Sequence, residues 1–425
     1  MQMRKKTNIW IVVTAAAVIV EVWALYVLGA SAARWRPAMI VAEEPAARAL
    51  YEAMLDAARD AETLSYRSFC SGPDSGPSAY SVQLKKPNLV HVEMTNGLST
   101  KVTMVLADGD RVRISWSGDR PFLKVDDFER NEPTQSNVYV DMSGSPADVA
   151  GQMARLGVAW SDLVWSPSVF FSGADEFEPY IDGIRLRGTN EASGEECDVI
   201  EVSYFKAQRM RHYWLSRKDH LPRRVKEIVR LAGQNHVIAE EWFRVEIDER
   251  ISDERFAWSP PEGFRAWEPP ELEDFLLKPG SDAPDFELPS ISGGAIRLSD
   301  LRGKVVWLCL WQVGSPKCRE QMRCLQSLHE KTKDTPLAIL AVNVTDDRRI
   351  AQTFLRDEAI SLPCVLDSSE EAAKLFAQGY GMKSSDGPVN FIIGRDGKIV
   401  DAWYGQDPHR APAALQAAGV QDVDR

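Results

Sequence analysis

The residues of this chain best placed to do chemistry are Ser315 and Cys318, which lie three positions apart at the start of a predicted helix. Serine is preferred just before the first turn of a helix, and Pro316 suits the first helical position because no hydrogen-bond donor is needed there. The positive end of the helix dipole, with Lys317 and Arg319 nearby, favours the thiolate form of a cysteine. Cys318 is therefore either a reactive thiol or, if it is buried against a sheet, a small inert core residue.

The elements that must position this pair alternate between strand and helix. A nearly continuous apolar run, Lys304–Trp311, precedes the helix Lys317–His329 and is typical of a strand buried on both faces. The turn signal Gly394–Gly397 separates the two strands of a predicted hairpin. Alternation of this kind predicts an α/β layer structure. The other predicted elements are the strand Leu337–Val344, the helices Arg348–Asp357 and Ser369–Phe376, and the hairpin strands Phe391–Ile393 and Ile399–Trp403.

Four segments occur in order in this part of the chain: Ala283–Leu288, Leu298–Val306, Asp386–Ile393 and Arg395–Val400. They resemble the motifs of the TlpA/ResA-type thioredoxin-like family, which is close to the AhpC/TSA redoxins. The resemblance implies a thioredoxin fold for residues 283–425. In that family a Cys-x-x-Cys motif stands where this chain has Ser315-Pro316-Lys317-Cys318. A serine cannot form a disulfide, so the resemblance implies that the usual dithiol exchange is not available and that Cys318 is the member that ordinarily resolves.

A second resemblance gives Cys318 another role. Ser315-x-x-Cys318 matches the second half of the peroxiredoxin motif Pro-x-x-x-[Thr/Ser]-x-x-Cys, although Trp311 stands where the proline would be. If the protein is an enzyme, we expect a thiol-dependent oxidoreductase or peroxidase centred on Cys318. The competing class is a non-enzymatic binding protein. Pro388 occupies the family's cis-proline position, facing the active-site turn. Its retention is compatible with a peptide-binding groove, and the alternative is that the fold itself needs this turn. Neither class calls for a cofactor.

The remaining cysteines give weaker signals. Cys309 lies on the predicted central strand and is expected in the core, and Cys324 lies on a different side of the helix from Cys318. Cys70 and Cys197 stand alone in the N-terminal part. Export would allow a Cys70–Cys197 disulfide, and the alternative is two buried free thiols. The six histidines are scattered, so we predict no metal site.

Residues 40–258 predict an α+β domain with one large curved antiparallel sheet: a helix at 45–64, a run of strands, a helix at 146–164 and further strands. The helix leading into Leu64–Arg67, the segments Gly188–Phe205 and Tyr213–Val225, and the closing Phe256–Gly263 resemble the LolA/LolB-like lipoprotein-carrier superfamily. The resemblance implies an apolar cavity for an acyl chain, which we expect near Ala159–Phe171. The alternative is an ordinary packed core.

The ends of this domain are marked by composition. Residues 259–282 are rich in proline and glutamate and predict a stiff linker. Residues 1–8 carry a basic cluster ahead of the apolar run 9–33, which favours a retained membrane anchor, a cleaved signal segment being the alternative. Both place the bulk of the chain outside the cytoplasm, in the bacterial periplasm or envelope. The net charge of −12 argues against nucleic acid. The expected partners are exported protein thiols or a lipid or lipoprotein ligand.

Overall fold

The computed structural model describes residues 43–72, 77–96, 102–116, 137–143, 165, 167–175, 177–205, 207–231, 234–268, 271–333, 335–382 and 387–420. The chain divides into two compact units. The first comprises Met1–Val229 and Asn235–Pro269, and the second comprises Arg230–Gln234 and Pro270–Arg425. The predicted membrane segment 9–33 and the predicted helix 146–164 lie outside the described residues. In the part of the chain that is described, no helix is both long enough and apolar enough to cross a membrane.

The first described element is helix α1, Pro45–Asp60, which has proline in its first turn. Its buried residues recur every three or four positions and so lie on one face. They are Ala47, Tyr51, Met54, Leu55 and Ala58. A second short helix, α2, spans Pro167–Ser172.

The first unit is built on one twelve-stranded sheet. Its strands lie side by side in the order β12-β6-β5-β4-β3-β2-β1-β11-β10-β9-β8-β7. Strands β1 to β6 form an antiparallel meander, β7 to β10 form another, and β11 pairs antiparallel with β1. The single large sheet was predicted from the sequence. The strands are β1 Thr63–Ser71, β2 Ser78–Lys85, β3 Leu89–Asn96, β4 Val102–Ala107, β5 Arg111–Trp116, β6 Val138–Ser143, β7 Ile181–Ala192, β8 Glu195–Tyr204, β9 Arg209–Ser216, β10 Pro222–Leu231, β11 Gln234–Ile247 and β12 Arg265–Ala266.

A buried polar network fixes α1 and the segment after α2 to the second meander. Tyr51 Oη of α1 donates to Asp175 Oδ2 at 2.9 Å, and Arg211 Nε of β9 donates to Glu227 Oε1 of β10 at 2.7 Å. Burial opposes ionisation of Glu227, but the guanidinium groups of Arg209 and Arg211 outweigh it and hold the pKa of Glu227 below its ordinary value. Glu227 therefore stays ionised although it is buried inside the first unit.

Of the two alternatives for Cys70 and Cys197, the disulfide is wrong, because neither cysteine forms one and both are buried. Cys70 lies on β1 and Cys197 on β8, and strands β11, β10 and β9 separate them. Four strand spacings amount to about 19 Å along the sheet. The Cα atoms of a disulfide lie within about 7 Å of each other.

The second unit shows the predicted α/β layering. Its five-stranded sheet has the order β17-β16-β15-β18-β19, in which β15, β16 and β17 are parallel and β18 and β19 antiparallel. A small hairpin of β13 and β14 precedes it. The strands are β13 Glu287–Pro289, β14 Ala295–Arg297, β15 Val305–Leu310, β16 Leu337–Asn343, β17 Cys364–Leu366, β18 Val389–Ile393 and β19 Ile399–Tyr404; the helices are α3 Pro316–Lys331, α4 Arg348–Asp357, α5 Glu370–Lys374 and α6 Arg410–Ala417.

The core of this unit lies around β15, all six residues of which are buried as the apolar run predicts. Phe286, Phe376, Tyr380 and Phe391 pack together beside it. The chain enters the unit earlier than the predicted start at 283, because Leu276 is already part of the core. The central strand is therefore a rigid support for the turn that leads into α3.

Candidate functional site

The turn between β15 and α3 carries Ser315 and Cys318. Ser315 has an extended backbone (φ −113°, ψ 118°) and is the N-cap of α3, with Pro316 as the first helical residue. Its Oγ accepts a hydrogen bond from the backbone N–H of Cys318 at 3.4 Å. The side chain thus satisfies one of the amides that a helix start leaves without an intrahelical partner.

Both side chains of the motif are buried. Ser315 is 3% exposed and Cys318 is 0% exposed. An attacking thiol must meet its substrate, whereas a thiol that only resolves a mixed disulfide sits beneath the attacking one. Neither side chain of the motif is therefore accessible to a substrate in this structure.

A buried aspartate that the sequence analysis missed anchors this turn. Asp346 follows β16, and its Oδ2 accepts hydrogen bonds from the backbone N–H of Val313 and from Asn343 Nδ2, each at 2.7 Å. The N–H of Asp346 donates to Asn343 Oδ1 at 2.9 Å. The only sequence signal was a polar pair, Asn343 at the end of the buried strand β16 and Asp346 just after it. These bonds restrain the turn and its capping serine.

The two arginines near the thiol are held by a carboxylate on another element. Arg319 Nε donates to Glu358 Oε1 at 2.8 Å, and Arg323 Nε donates to Glu358 Oε2 at 2.6 Å. Burial opposes ionisation of Glu358, but these hydrogen bonds outweigh it and hold its pKa below the ordinary value. Glu358 thus offsets only part of the positive charge near Cys318, because one carboxylate serves two arginines and Lys317 is exposed.

Two further thiols lie in the sheet beneath the helix. Cys309 of β15 pairs with Ala341 of β16, which in turn pairs with Cys364 of β17, so the two cysteines share one row of the sheet. Burial, followed by the nearby thiols Cys318 and Cys364, raises the pKa of Cys309 well above its usual range. Burial also raises the pKa of Cys364 to about 12. These are protonated, unreactive core thiols at neutral pH.

Cys324 differs from the other cysteines of the second unit because it is exposed. Partial burial and the neighbouring Glu320 raise the pKa of its thiol above the ordinary value. Although Cys324 is exposed, its thiol therefore lacks the thiolate character that nucleophilic attack needs.

Pro388 lies directly before β18, which pairs with β15 beside the turn. Its carbonyl accepts a hydrogen bond from the N–H of Gly405 at 2.7 Å. Among the described residues the cis peptide bond is Lys86–Pro87, and Gly387–Pro388 is not one of the cis bonds. Trans is the lower-energy isomer of an X–Pro bond by about 0.5–1 kcal/mol.

The space beside Pro388 is small. It measures about 10 Å³, the room of about one water molecule. The described residues that line it include Trp311, Met382, Gly387 and Val389. A ligand of this site must therefore rest on the surface of the turn. Within the described ranges no group of three or more His, Cys, Asp and Glu side chains is arranged to hold a metal ion.

Comparison with known proteins places similarity in the second unit. The AhpC/TSA family model matches residues 279–402. The thiol-disulfide oxidoreductase ResA of Bacillus subtilis is 30% identical over 129 residues, which is 30% of this chain and 69% of that protein. ResA of Geobacillus thermodenitrificans is 32% identical over 120 residues, 28% of this chain and 66% of that protein. A secreted thiol-disulfide isomerase from Corynebacterium glutamicum, of known structure, has 25% identity and a TM-score of 0.29, covering 32% of this chain and 86% of that one.

Proposed function

We propose a function from the premise that the chain belongs, through its second unit, to the AhpC/TSA redoxins of the ResA thiol-disulfide oxidoreductase type. This member has lost dithiol exchange and acts as a thioredoxin-fold binding protein for an exported protein. The observation that carries the proposal is Ser315 in place of the attacking cysteine, with Cys318 fully buried beneath it. Without an attacking thiolate, the mixed disulfide that begins exchange does not form.

The proposed contact surface is the outside of the same turn. Lys317 is exposed, Gly314 and Pro316 are half-buried, and Gly387 lies next to the Lys317 side chain. Asp346 and the Ser315 cap restrain this turn before any partner arrives. A surface that is already ordered loses little conformational entropy on binding.

A second candidate is a one-thiol oxidoreductase or peroxidase at Cys318. It is favoured by the position of Cys318 in the first turn of α3, where the helix dipole stabilises a thiolate. Burial of the thiol and the pairing of Arg319 and Arg323 with Glu358 count against it. Local opening of the turn would have to precede any reaction with peroxide or a disulfide.

The proposed location is the bacterial envelope, with residues 9–33 as membrane anchor and the two units outside the cytoplasm. The support is the basic cluster ahead of the apolar run. For the first unit we propose a LolA-like carrier domain with a lipid or lipoprotein ligand. Its support is the order of elements, in which α1 precedes two antiparallel meanders that belong to one sheet.

Thiol mapping tests the proposal on Cys318. The native full-length chain is treated with iodoacetamide between pH 6 and 9, and the modified cysteines are identified by mass spectrometry. We expect Cys324 to be labelled and Cys318 to be labelled only in denaturant. Rapid labelling of native Cys318 that persists at pH 6 would contradict the proposal and support the one-thiol enzyme.

Insulin reduction with dithiothreitol tests the loss of exchange directly. We expect turnover at the level of dithiothreitol alone, with thioredoxin as the positive control. The matched variant is Cys318→Ser, which should behave like the wild type. Turnover well above background that Cys318→Ser abolishes would refute the claim that exchange is lost.

A further inference from the structure

The first unit carries a groove of about 530 Å³ across strands β11, β1, β2 and β3. Its walls include Arg67 and Phe69, which alternate along β1 with the buried Tyr66 and so belong to the opposite face of the sheet. The volume is within the range of small-molecule sites. The groove is separate from the turn that holds Ser315 and Cys318.

Strand register explains why a groove forms at this place. Arg67 of β1 pairs with Phe243 of β11, and the rings of Phe69 and Phe243 meet edge to face with centroids 5.7 Å apart. On β2 and β3 the row of Phe69 continues with the small residues Ala79 and Thr95, and the row of Arg67 continues with Ser81 and Glu93. The aromatic side chains of Phe69 and Phe243 therefore border one side of a shallow groove, and the exposed lining of this groove is mainly apolar.

A β-bulge adds a charged residue to the same wall. Between Arg67 and Ser65 the chain of β1 advances two residues, whereas β11 advances three, from Phe243 to Glu246. Arg244 lies in this irregular stretch with φ +53°. Successive residues of a regular strand face opposite sides, but a bulge redirects one of them. As a result Phe243 and Arg244, although adjacent in sequence, both line the groove.

The charges of the groove are not balanced. Arg255 is bound, since its Nε donates to Gln83 Oε1 at 2.9 Å and its Nη2 lies 3.5 Å from Glu93 Oε1. Arg67 and Arg244 form no ion pair or hydrogen bond through their side chains with any described residue. With Glu93 offsetting Arg255, the described lining has two uncompensated positive charges in a chain whose net charge is −12.

We propose that this groove binds a single anionic amphiphile, a lipid with a phosphate headgroup. The phosphate would lie between the guanidinium groups of Arg67 and Arg244, which offer forked donors suited to phosphate oxygens. The apolar chains would lie along Phe69, Phe243 and the floor formed by Ala79. Charge complementarity selects the headgroup, and the apolar lining selects a ligand with chains over a free anion. The site deepens the lipid-carrier role proposed for the first unit, and it is independent of the function proposed for the second unit.

The experiment is isothermal titration calorimetry of the full-length chain, kept free of anionic detergent, with dihexanoylphosphatidic acid below its micellar concentration. We expect saturable binding with one site per chain that weakens as salt is raised. Arg67→Gln and Arg244→Gln should each weaken binding about tenfold or more, the usual contribution of hydrogen bonds to a charged group. Because both side chains are exposed and have no partners among the described residues, these variants should melt like the wild type.

Control titrations separate the two parts of the ligand. Arg250→Gln, an exposed arginine outside the groove, should bind like the wild type. Dihexanoylphosphatidylcholine, with the same chains but no net charge, should bind much more weakly, as should inorganic phosphate, which has no chains. Absence of saturable binding, or an affinity in Arg67→Gln and Arg244→Gln equal to that of the wild type, would overturn the site. Equal affinity for inorganic phosphate would overturn the amphiphile.

Discussion

Ser315→Cys restores a cysteine pair and tests whether the turn keeps the geometry of a dithiol site. In α-helix geometry, residues three positions apart have Cα atoms about 5 Å apart, which is inside the range that a disulfide spans. The Ser315 side chain already reaches the backbone N–H of Cys318 at 3.4 Å. We therefore expect the variant to form an intramolecular disulfide with Cys318 under oxidised glutathione.

The magnitude follows from two opposing effects. Loss of the serine cap should make the reduced variant about 1 kcal/mol less stable than the wild type. In the chain-entropy description, closing a four-residue loop lowers the entropy of the unfolded chain enough to stabilise the folded state by about 2 kcal/mol. The oxidised variant should then be about 1 kcal/mol more stable than the wild type.

The assay is urea unfolding of oxidised and reduced protein, with mass mapping of the disulfide. The unfolding transition of the first unit, which the substitution does not touch, is the internal reference. Ser315→Cys combined with Cys318→Ser is the matched control and should show no redox dependence. A variant that forms no Cys318 disulfide, or whose oxidised form is less stable than its reduced form, would show that the turn does not hold the two positions as described.

Two other variants and one disulfide-mapping experiment test the fold and its charges. Glu227→Ala leaves Arg211 buried without its nearest carboxylate and should lower the free energy of unfolding in urea by about 3–5 kcal/mol. The control Glu196→Ala, at an exposed position, should lower it by less than about 1 kcal/mol. Similar losses of stability in the two variants would contradict the buried network. Glu358→Gln should destabilise the second unit above about pH 5 and match the wild type in acid. A carboxyl whose pKa is lowered by folding stabilises the protein above its unfolded-state pKa, and this contribution is lost as the pH falls through its folded-state pKa. A stability difference that does not change with pH would refute this assignment. Non-reducing mass mapping of the exported chain should find Cys70 and Cys197 as free thiols, and a peptide linking them would contradict the strand order.

Local signals were sufficient for the helix start and the central strand. Ser315 and Pro316 are adjacent residues whose preferences depend only on the first helical turn, and the apolar run before them reflects burial on both faces. The pairing of Arg319 with Glu358 could not be predicted, since it joins residues 39 positions apart whose meeting depends on how α3 and α4 pack.

The wrong disulfide has a similar origin. Both cysteines were correctly placed on strands, but their separation depends on strand order, which the sequence does not reveal locally. Strand β1 lies between β2 and β11, not beside β8. The burial of Cys318 likewise depends on how closely α3 approaches the sheet, which composition and spacing do not determine.

The retained scaffold of the site is weak evidence for retained chemistry, because its parts also stabilise the fold. Serine is a better N-cap than cysteine, so the residue that removes the attacking thiol also strengthens the helix start. Asp346 and Asn343 satisfy buried amides of the turn whether or not a substrate reacts there. A catalytic dithiol keeps a strained or poorly satisfied arrangement in exchange for activity. Here the described turn is capped by Ser315 and anchored by Asp346, which is the arrangement expected under the proposed loss of exchange, because selection would then act on stability and surface recognition.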